Sequence, residues 1–157
     1  MQLSRQAQYA IRTALDLALH PQGRRADIAA RQGIPPSLMA RVIAALSRTG
    51  LVRTYRGVGG GVRLARRPEA VTLGEVVAAV EGPLAINLCV YWGDCPCRQP
   101  CPVRAVFART EGAVARELAV TVGDLARQWR EIREPRSSRI ERPAIRRTIH
   151  MKGGKRT

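Results

Sequence analysis

The stretch ARQGIPPSLMARVIAAL, residues 30–46, constrains the fold of this chain more than any other. A short helical pattern over 25–31 is stopped by Gly33, and Pro35 and Pro36 allow a new helix to start. Apolar residues then recur at spacings of three and four, and Gly50 closes the pattern. Two short helices joined by a glycine-containing turn predict a helix-turn-helix.

A glycine-rich hairpin follows directly, in the sequence LVRTYRGVGGGVRLA at 51–65. It predicts strands over 51–55 and 62–65, joined by Gly57, Gly59, Gly60 and Gly61. A nucleotide-binding glycine loop is the competing interpretation, but that motif needs a helix after the glycines. Here a second strand and Pro68 follow instead. The hairpin is therefore interpreted as the wing of a winged helix.

Further helices are predicted on either side of this unit. The first runs from Ser4 to Leu19, and two others begin at Thr-x-x-acid starts, at 72 and 121, where the threonine can cap the helix. The helix from 121 ends near 132, and we expect its Trp129 to lie in the core. The predicted fold is mainly α with a small β-hairpin wing, a winged helix-turn-helix followed by a long helix.

That long helix spans about 102–119, and Pro102 suits its first position. It carries one apolar stripe, formed by Val103, Val106, Phe107, Val114 and Leu118. The stripe can pack on the rest of the chain or pair with a second copy. Pairing gains weight because helix-turn-helix proteins commonly bind two-fold DNA sites as dimers.

A formal net charge of +15, from 27 Lys and Arg against 12 Asp and Glu, favours a polyanionic partner. Aromatic residues make up only 4%, which favours duplex over single-stranded DNA, because single-strand binders need stacking platforms. On the second helix of the pair, the predicted exposed positions are Ser37, Met39, Ala40 and Arg41. On the wing, the predicted DNA-binding residues are Arg53, Arg56, Gly59, Gly60 and Arg63. The alternative is that these arginines are solvated surface charges.

The expected organisation has four parts. Residues 1–82 form the winged-helix DNA-binding domain, 83–101 a cysteine-rich loop, 102–133 the dimerisation helix with a following short helix, and 134–157 a disordered basic tail with eight Lys or Arg. No signal peptide and no apolar run of membrane-spanning length is present, so we expect a cytoplasmic protein without a membrane partner. No nucleophile–base pair or metalloprotease motif is present either, which argues against an enzyme.

All four cysteines lie in NLCVYWGDCPCRQPC, residues 87–101: Cys89, Cys95, Cys97 and Cys101. In a reducing compartment, clustered cysteines more often bind metal or sense redox state than form structural disulfides. No C-x2-C pair of the kind typical of structural zinc is present. An irregular loop suits an iron–sulfur cluster better. Structural zinc and a metal-free thiol–disulfide switch remain as alternatives.

These features together resemble the winged-helix iron–sulfur transcription regulators, the family that includes the iron–sulfur cluster regulator IscR and the nitric-oxide-sensitive repressor NsrR. The resemblance covers roughly residues 1–132, through MQLSRQAQYAIRTALDLA, RGVGGGVRLA, TLGEVVAAVEG and Cys-x5-Cys-x5-Cys. It implies a homodimer paired through the long helix. It also implies a [2Fe–2S] cluster, preferred here, or a [4Fe–4S] cluster, bound by Cys89, Cys95 and Cys101 and tuning affinity for promoter DNA.

The fourth ligand departs from the family pattern. Iron–sulfur cluster regulators place a histidine where this chain has Arg104, and the nitric-oxide sensors use an aspartate at the position that matches Gln8. Neither residue suits the role, so Cys97 is the predicted substitute. Its alternatives are a spare thiol or a redox partner for a neighbouring cysteine. Some family members are instead controlled by binding a metabolic enzyme, but these usually lack the cysteines.

Overall fold

A computed structural model of the protein describes residues 2–57, 60–91 and 101–133. Seven α-helices, one three-residue 3-10 helix (Pro68–Ala70) and one two-stranded antiparallel sheet lie within these ranges. In chain order the α-helices and strands are α1 Arg5–Leu19, α2 Arg25–Gln32, α3 Pro36–Arg48, β1 Val52–Tyr55, β2 Gly61–Leu64, α4 Leu73–Glu81, α5 Leu88–Tyr91, α6 Pro102–Glu117 and α7 Val122–Arg133. The predicted fold class is confirmed, and periodicity did not reveal the two shortest helices, Pro68–Ala70 and α5.

Helix α1 is the central element, and α2, α3, α4 and α7 all pack on it. Ser4 caps its start, since the serine Oγ accepts a hydrogen bond from the Ala7 amide at 3.1 Å. Small residues such as Ala10 and Ala14 line its buried face. Their size lets the neighbouring helices approach closely, and Leu17 fills the centre of the core with them.

The helix-turn-helix forms where the sequence predicts it. Gly33 ends α2 in the left-handed conformation, with φ 58°, and Pro36 occupies the first turn of α3. One prediction here is wrong, because Met39 is wholly buried rather than exposed. The first turn of α3 inserts beneath α1, where the Thr13 Oγ1 lies 3.9 Å from the Met39 sulfur. The buried stripe of α3 therefore begins at Met39.

Strands β1 and β2 pair in the register Val52↔Leu64 to Tyr55↔Gly61. Val52 and Val62 are buried under the hairpin. The hairpin is also tied to the segment before α2, because Gly23 exchanges two backbone hydrogen bonds with Val62, at 3.2 and 2.8 Å. The wing is thus anchored to the entry of α2 as well as to α3.

Helices α4 and α7 begin side by side. Thr72 and Thr121 form a β-bridge with each other. Each threonine Oγ1 also accepts a hydrogen bond from the amide of the acidic residue three positions on, and so caps its own helix. The prediction that Trp129 lies in the core is wrong, since 42% of it is exposed. The packed face of α7 carries small residues instead: a Cβ on Gly123 would lie 2.9 Å from the Glu69 amide. That close approach leaves no room for a large side chain.

Helix α6 has no buried residue along its sixteen positions. Its C-terminal end is attached to α4, since the Gly74 amide donates to the Leu118 carbonyl at 2.8 Å. Val103 and Val106 near its other end are 57% and 50% exposed. Within the described ranges, no helix combines the length and apolar character needed to cross a membrane.

Candidate functional site

The candidate DNA-reading surface begins at the N-terminal half of α3. Ser37 and Arg41 are both exposed there and stand one helical turn apart, so they lie on the same face. Ala40 beside them is half-buried. The opposite face of α3 is held in the core by Val42 and Leu46. The exposed face of α3 is therefore short and polar and includes the Arg41 guanidinium, whereas its apolar face packs in the core.

The wing carries three of the predicted arginines. Arg53 and Arg56 are exposed, and Arg63 lies directly across from Arg53 in the hairpin. The Arg63 guanidinium stacks on the Tyr55 ring, 4.0 Å from its centroid, and this cation–π contact holds the charge in place beside its like-charged neighbour. Within the described residues, the buried Arg63 Nε has no hydrogen-bond partner. This nitrogen lacks a protein acceptor at the base of the wing.

Gly60 has a structural role in the hairpin turn. A Cβ at this position would lie 2.5 Å from the Tyr55 carbonyl oxygen and 2.9 Å from that of Gly57. The Gly60 amide also donates to the Gly57 carbonyl at 2.9 Å. Any side chain would force the turn open. The neighbouring predicted residue, Gly59, lies outside the described residues.

Sequence reasoning missed two arginines of this surface, Arg24 and Arg25, at the entry of α2. Both are exposed and share a groove with Arg56 of the wing. The signal in the sequence was the run Gly-Arg-Arg at 23–25. These two arginines lie near the wing only because Gly23 pairs with Val62, a contact between segments almost forty residues apart.

An ion pair with a buried carboxylate and a partly exposed arginine connects α1 to the helix-turn-helix. Arg31 donates to both carboxylate oxygens of Asp16, from Nε at 3.0 Å and from a terminal nitrogen at 2.6 Å, and Gln32 donates at 2.9 Å. Burial raises the pKa of Asp16, but these hydrogen bonds and the Arg31 charge outweigh it and hold that pKa below its usual value. The carboxylate thus fixes the orientation of α2.

Two of the four predicted cysteine ligands can be placed. Cys89 lies in α5, and Cys101 immediately precedes α6 as its cap. Both are half-buried, and neither forms a disulfide with another described residue. Helix α5 packs on α6, so the two elements that carry these thiols are in contact. Cys95 and Cys97 lie outside the described residues.

Two polar contacts position the segment around Cys89. The Asn87 Oδ1 accepts a hydrogen bond from the Cys89 amide at 3.1 Å. The Glu111 carboxylate, on α6, accepts from the Ile86 amide at 2.7 Å across twenty-five residues of sequence. Glu111 therefore fixes the chain before Cys89 against the long helix, a role that its sequence position did not reveal.

The donor chemistry fits a thiolate-bound cluster. In the described part of the chain, no group of three or more His, Cys, Asp or Glu is close enough together to hold a metal ion. Any site that includes Cys95 and Cys97 would extend outside the described residues. Neither position with a family fourth ligand supplies one: the Gln8 amide donates to the Leu3 carbonyl at 3.2 Å, and Arg104 is cationic.

Comparison with known proteins identifies relatives that match most of this chain. The profile of the Rrf2 family, described as "Iron-dependent Transcriptional regulator", matches residues 3–128. The HTH-type transcriptional regulator IscR of Vibrio campbellii is 33% identical over 129 residues, covering 80% of this chain and 77% of that protein. A putative HTH-type transcriptional regulator of Azotobacter vinelandii, ORF2, is 41% identical over 101 residues, covering 62% and 60%.

Solved structures share the fold. T. potens IscR superposes with a TM-score of 0.70 at 24% identity, covering 86% of this chain and 93% of that one. CymR of B. subtilis, described as its global cysteine regulator, also gives 0.70 at 24% identity, covering 82% and 98%. At this identity the likeness establishes the winged-helix architecture with its following helices.

Proposed function

Because this chain belongs to the Rrf2 family of transcriptional regulators, we propose that an iron–sulfur cluster controls its affinity for operator DNA. Family membership makes the protein a helix-turn-helix transcriptional regulator and not an enzyme. The cluster is our addition for this chain. We further propose that the regulator acts as a repressor and a homodimer on double-stranded promoter DNA.

The observation that carries this proposal is the pair of half-buried thiols on packed elements, Cys89 on α5 and Cys101 before α6. They bracket two further cysteines within thirteen residues. Iron–sulfur clusters are held by such thiolates. Cys89, Cys95, Cys101 and Cys97 would hold a [2Fe–2S] cluster by preference, or a [4Fe–4S] cluster. When bound, the cluster would supply a centre sensitive to iron–sulfur status, redox state or nitric oxide.

The described residues offer a route from the cysteine segment to the DNA-reading surface. Residues 83–101 join α4 to α6, and Glu111 holds the Ile86 amide against α6. The Leu118 carbonyl then connects the far end of α6 to α4. A rearrangement before Cys101 would be transmitted to both helices. In a dimer paired through α6, this rearrangement would change the distance between the two DNA-binding domains.

The proposed DNA contacts divide into two kinds. Ser37 and Arg41 would enter the major groove, as the second helix of a helix-turn-helix does. Arg53, Arg56 and Arg63, with Gly59 and Gly60 at the tip, would contact the backbone or a minor groove through the wing.

Replacing Arg56 by alanine is expected to weaken operator binding, because an exposed wing guanidinium is lost without disturbing the hairpin core. Arg41→Ala should in addition reduce the preference for operator over unrelated DNA, by about 1–3 kcal/mol if Arg41 pairs with a guanine. Fluorescence anisotropy with both duplexes at one salt concentration measures the two effects. Unchanged operator affinity of Arg56→Ala would remove the wing from the interface.

The test of cluster control is a metal analysis combined with DNA binding. Protein purified without oxygen should contain iron and acid-labile sulfide in matching amounts and show charge-transfer bands in its visible spectrum. Operator affinity of the cluster-loaded and cluster-free forms should then differ at the same salt concentration. Equal affinities would remove the switch, and zinc alone, or no metal after anaerobic reconstitution, would remove the cluster.

The fourth ligand can be tested separately. Cys97→Ala is expected to reduce cluster content and stability and to change the visible spectrum, because neither Arg104 nor Gln8 offers a replacement ligand. Cys89→Ala serves as the reference for losing a family-type ligand. If Cys97→Ala retains the spectrum and cluster lifetime of the wild type while Cys89→Ala does not, the fourth ligand lies elsewhere.

A metal-free thiol switch is the second candidate, with structural zinc as its variant. A structure of Staphylococcus aureus CymR, whose fold this chain shares with a TM-score of 0.62 at 22% identity, is of an oxidized form. In this chain, Cys95 with Cys97 or Cys97 with Cys101 would form the disulfide. DNA binding by metal-free protein that responds to oxidant and is restored by a thiol reductant would favour this candidate.

A further inference from the structure

We infer that the entry of α2 and the wing together form a binding groove for the phosphates of duplex DNA, with Arg24 and Arg25 as additional backbone contacts. The inference rests on the proposed binding of duplex DNA and extends it to two residues outside the recognition helix and the wing. The groove encloses about 500 Å³. Three exposed guanidiniums line it: Arg24, Arg25 and Arg56.

The charge of this groove is uncompensated. Among the described residues, its lining includes no Asp or Glu. None of the three arginines forms an ion pair with a carboxylate in the described part of the chain, whereas Arg31, Arg66 and Arg127 elsewhere do. Exposed arginines that serve only solubility are commonly interspersed with acidic residues. Three unpaired guanidiniums on one concave surface instead match a row of phosphates, which guanidiniums bind with paired hydrogen bonds.

The two sides of the groove are held in fixed relation. Gly23 and Val62 exchange hydrogen bonds at 3.2 and 2.8 Å, which join the residue before Arg24 to the wing. The contact is so close that a Cβ on Gly61 would lie 2.7 Å from the Gly23 carbonyl oxygen. Arg24 and Arg56 are therefore presented by one rigid unit, so binding requires little ordering of the backbone.

The groove lies beside the recognition helix. Ile43 of α3 lines its floor, and Gly57 and Gly60 of the wing line its rim without side chains. A DNA strand that borders the major groove read by α3 would run along it towards the wing. Contacts made to phosphate carry no sequence information, so this groove would add affinity and fix the orientation of the protein.

The test is the salt dependence of binding by the double variant Arg24→Ala/Arg25→Ala. Each lost phosphate contact should make the slope of log K against log salt shallower by about 0.9, so the double variant should lose about 1.8. Affinity should fall by the same factor for operator and for an unrelated duplex. Arg24→Lys/Arg25→Lys keeps both charges and should retain the wild-type slope.

Arg127→Ala is the single-charge control, because Arg127 lies on α7 and pairs with Asp124 away from the groove. It is compared with Arg25→Ala, which changes the net charge equally. Equal slopes for Arg25→Ala, Arg127→Ala and the wild type would overturn the inference, as would a loss confined to the operator. If the wild type binds no duplex, the proposed function itself fails. If the wild type binds and the Arg24 and Arg25 variants keep its full salt slope, the inference alone fails.

Discussion

Replacing Arg31 by methionine is expected to lower the free energy of unfolding by about 2 kcal/mol, somewhat less than for a fully buried ion pair, because the Asp16 carboxylate is buried but 36% of the Arg31 side chain is exposed. The change removes two hydrogen bonds to Asp16, whose side chain is only 1% exposed. Only Gln32 then donates to the carboxylate. Methionine keeps most of the alkyl packing of arginine, so the loss reports mainly on the charge. Urea unfolding at matched protein concentrations measures it.

The chain supplies its own control. Arg66 pairs with Glu75 at the same 2.6 Å, but both side chains are more than 40% exposed. Arg66→Met should therefore cost at most about 1 kcal/mol, as exposed pairs do. The shortest nitrogen–oxygen distance is the same in the two pairs, but the Arg31 pair is bidentate and its carboxylate is buried, so the contrast measures these two differences together. Equal, small losses in both variants would show that Asp16 is solvated when Arg31 is removed.

The stabilisation by Asp16 should also depend on pH. Its pKa is lower in the folded protein than the usual value of 3.8. A carboxyl with a depressed folded pKa stabilises the protein above its unfolded pKa and loses that contribution as the pH falls through the folded one. The difference between wild type and Arg31→Met should therefore be full at pH 7 and narrow below about pH 4. A difference independent of pH would contradict the charge assignment.

The Val103→Glu/Val106→Glu double variant is expected to convert a dimer into monomers. Both valines are at least half exposed on α6, a helix with no buried residue, and a second copy is the proposed cover. Losing even 1.5 kcal/mol of burial in each subunit removes about 3 kcal/mol from a two-fold interface. That raises the dissociation constant about 100-fold, before any cost of burying the new carboxylates.

Sedimentation velocity at several protein concentrations measures this change, and operator binding should weaken with it, because a monomer reaches only one half-site. Ala108→Glu is the single-charge control, and it is compared with Val106→Glu, which adds the same charge. Ala108 is exposed on the same helix but lies on the other side, since two residues past Val106 turn an α-helix by about 200°. Dissociation by both variants would indicate general repulsion, and dissociation by neither would place the dimer interface outside this end of α6.

The helices and the hairpin could be predicted from sequence because their signals are local. Thr72 and Thr121 cap the helices that they were expected to cap, the first helix begins after Ser4, and Gly33 ends α2. These preferences depend on backbone groups within four residues of the cap. The four-residue helix α5 was not predicted, because a single turn is too short to show a hydrophobic period.

Which face of a helix is buried proved harder to predict. Met39 and Trp129 were assigned to opposite environments from those they occupy. On α3, the face that packs against α1 begins at Met39, one residue after Leu38, where the apolar pattern predicted its start. On α7, the close approach at Gly123 favours a face of small residues and leaves the indole outside, beside Arg133. Periodicity shows that a helix has two faces, but the partner helix decides where the buried face begins.

For the candidate site, the exposed residues that lie on a single helix or on the wing could be predicted from sequence. Ser37, Arg41 and Arg56 are exposed as expected. Contacts between distant segments, such as those of Glu111 with Ile86 and of Arg31 with Asp16, could not be predicted from sequence. Hydrogen bonding depends on distance in space, which sequence spacing does not encode beyond a few turns.

The amino-acid sequence by itself therefore determined the order of the elements, the helix-turn-helix, the wing and the clustering of all cysteines, because each depends on short-range backbone preference or on composition. Only the tertiary structure decided which charges meet. It buried Asp16 against Arg31, and it brought Arg24 and Arg25 to the wing through the Gly23–Val62 pairing. The reason is that electrostatic and packing energies depend on neighbours in space, and the packing of α1, α2 and the hairpin chooses those neighbours.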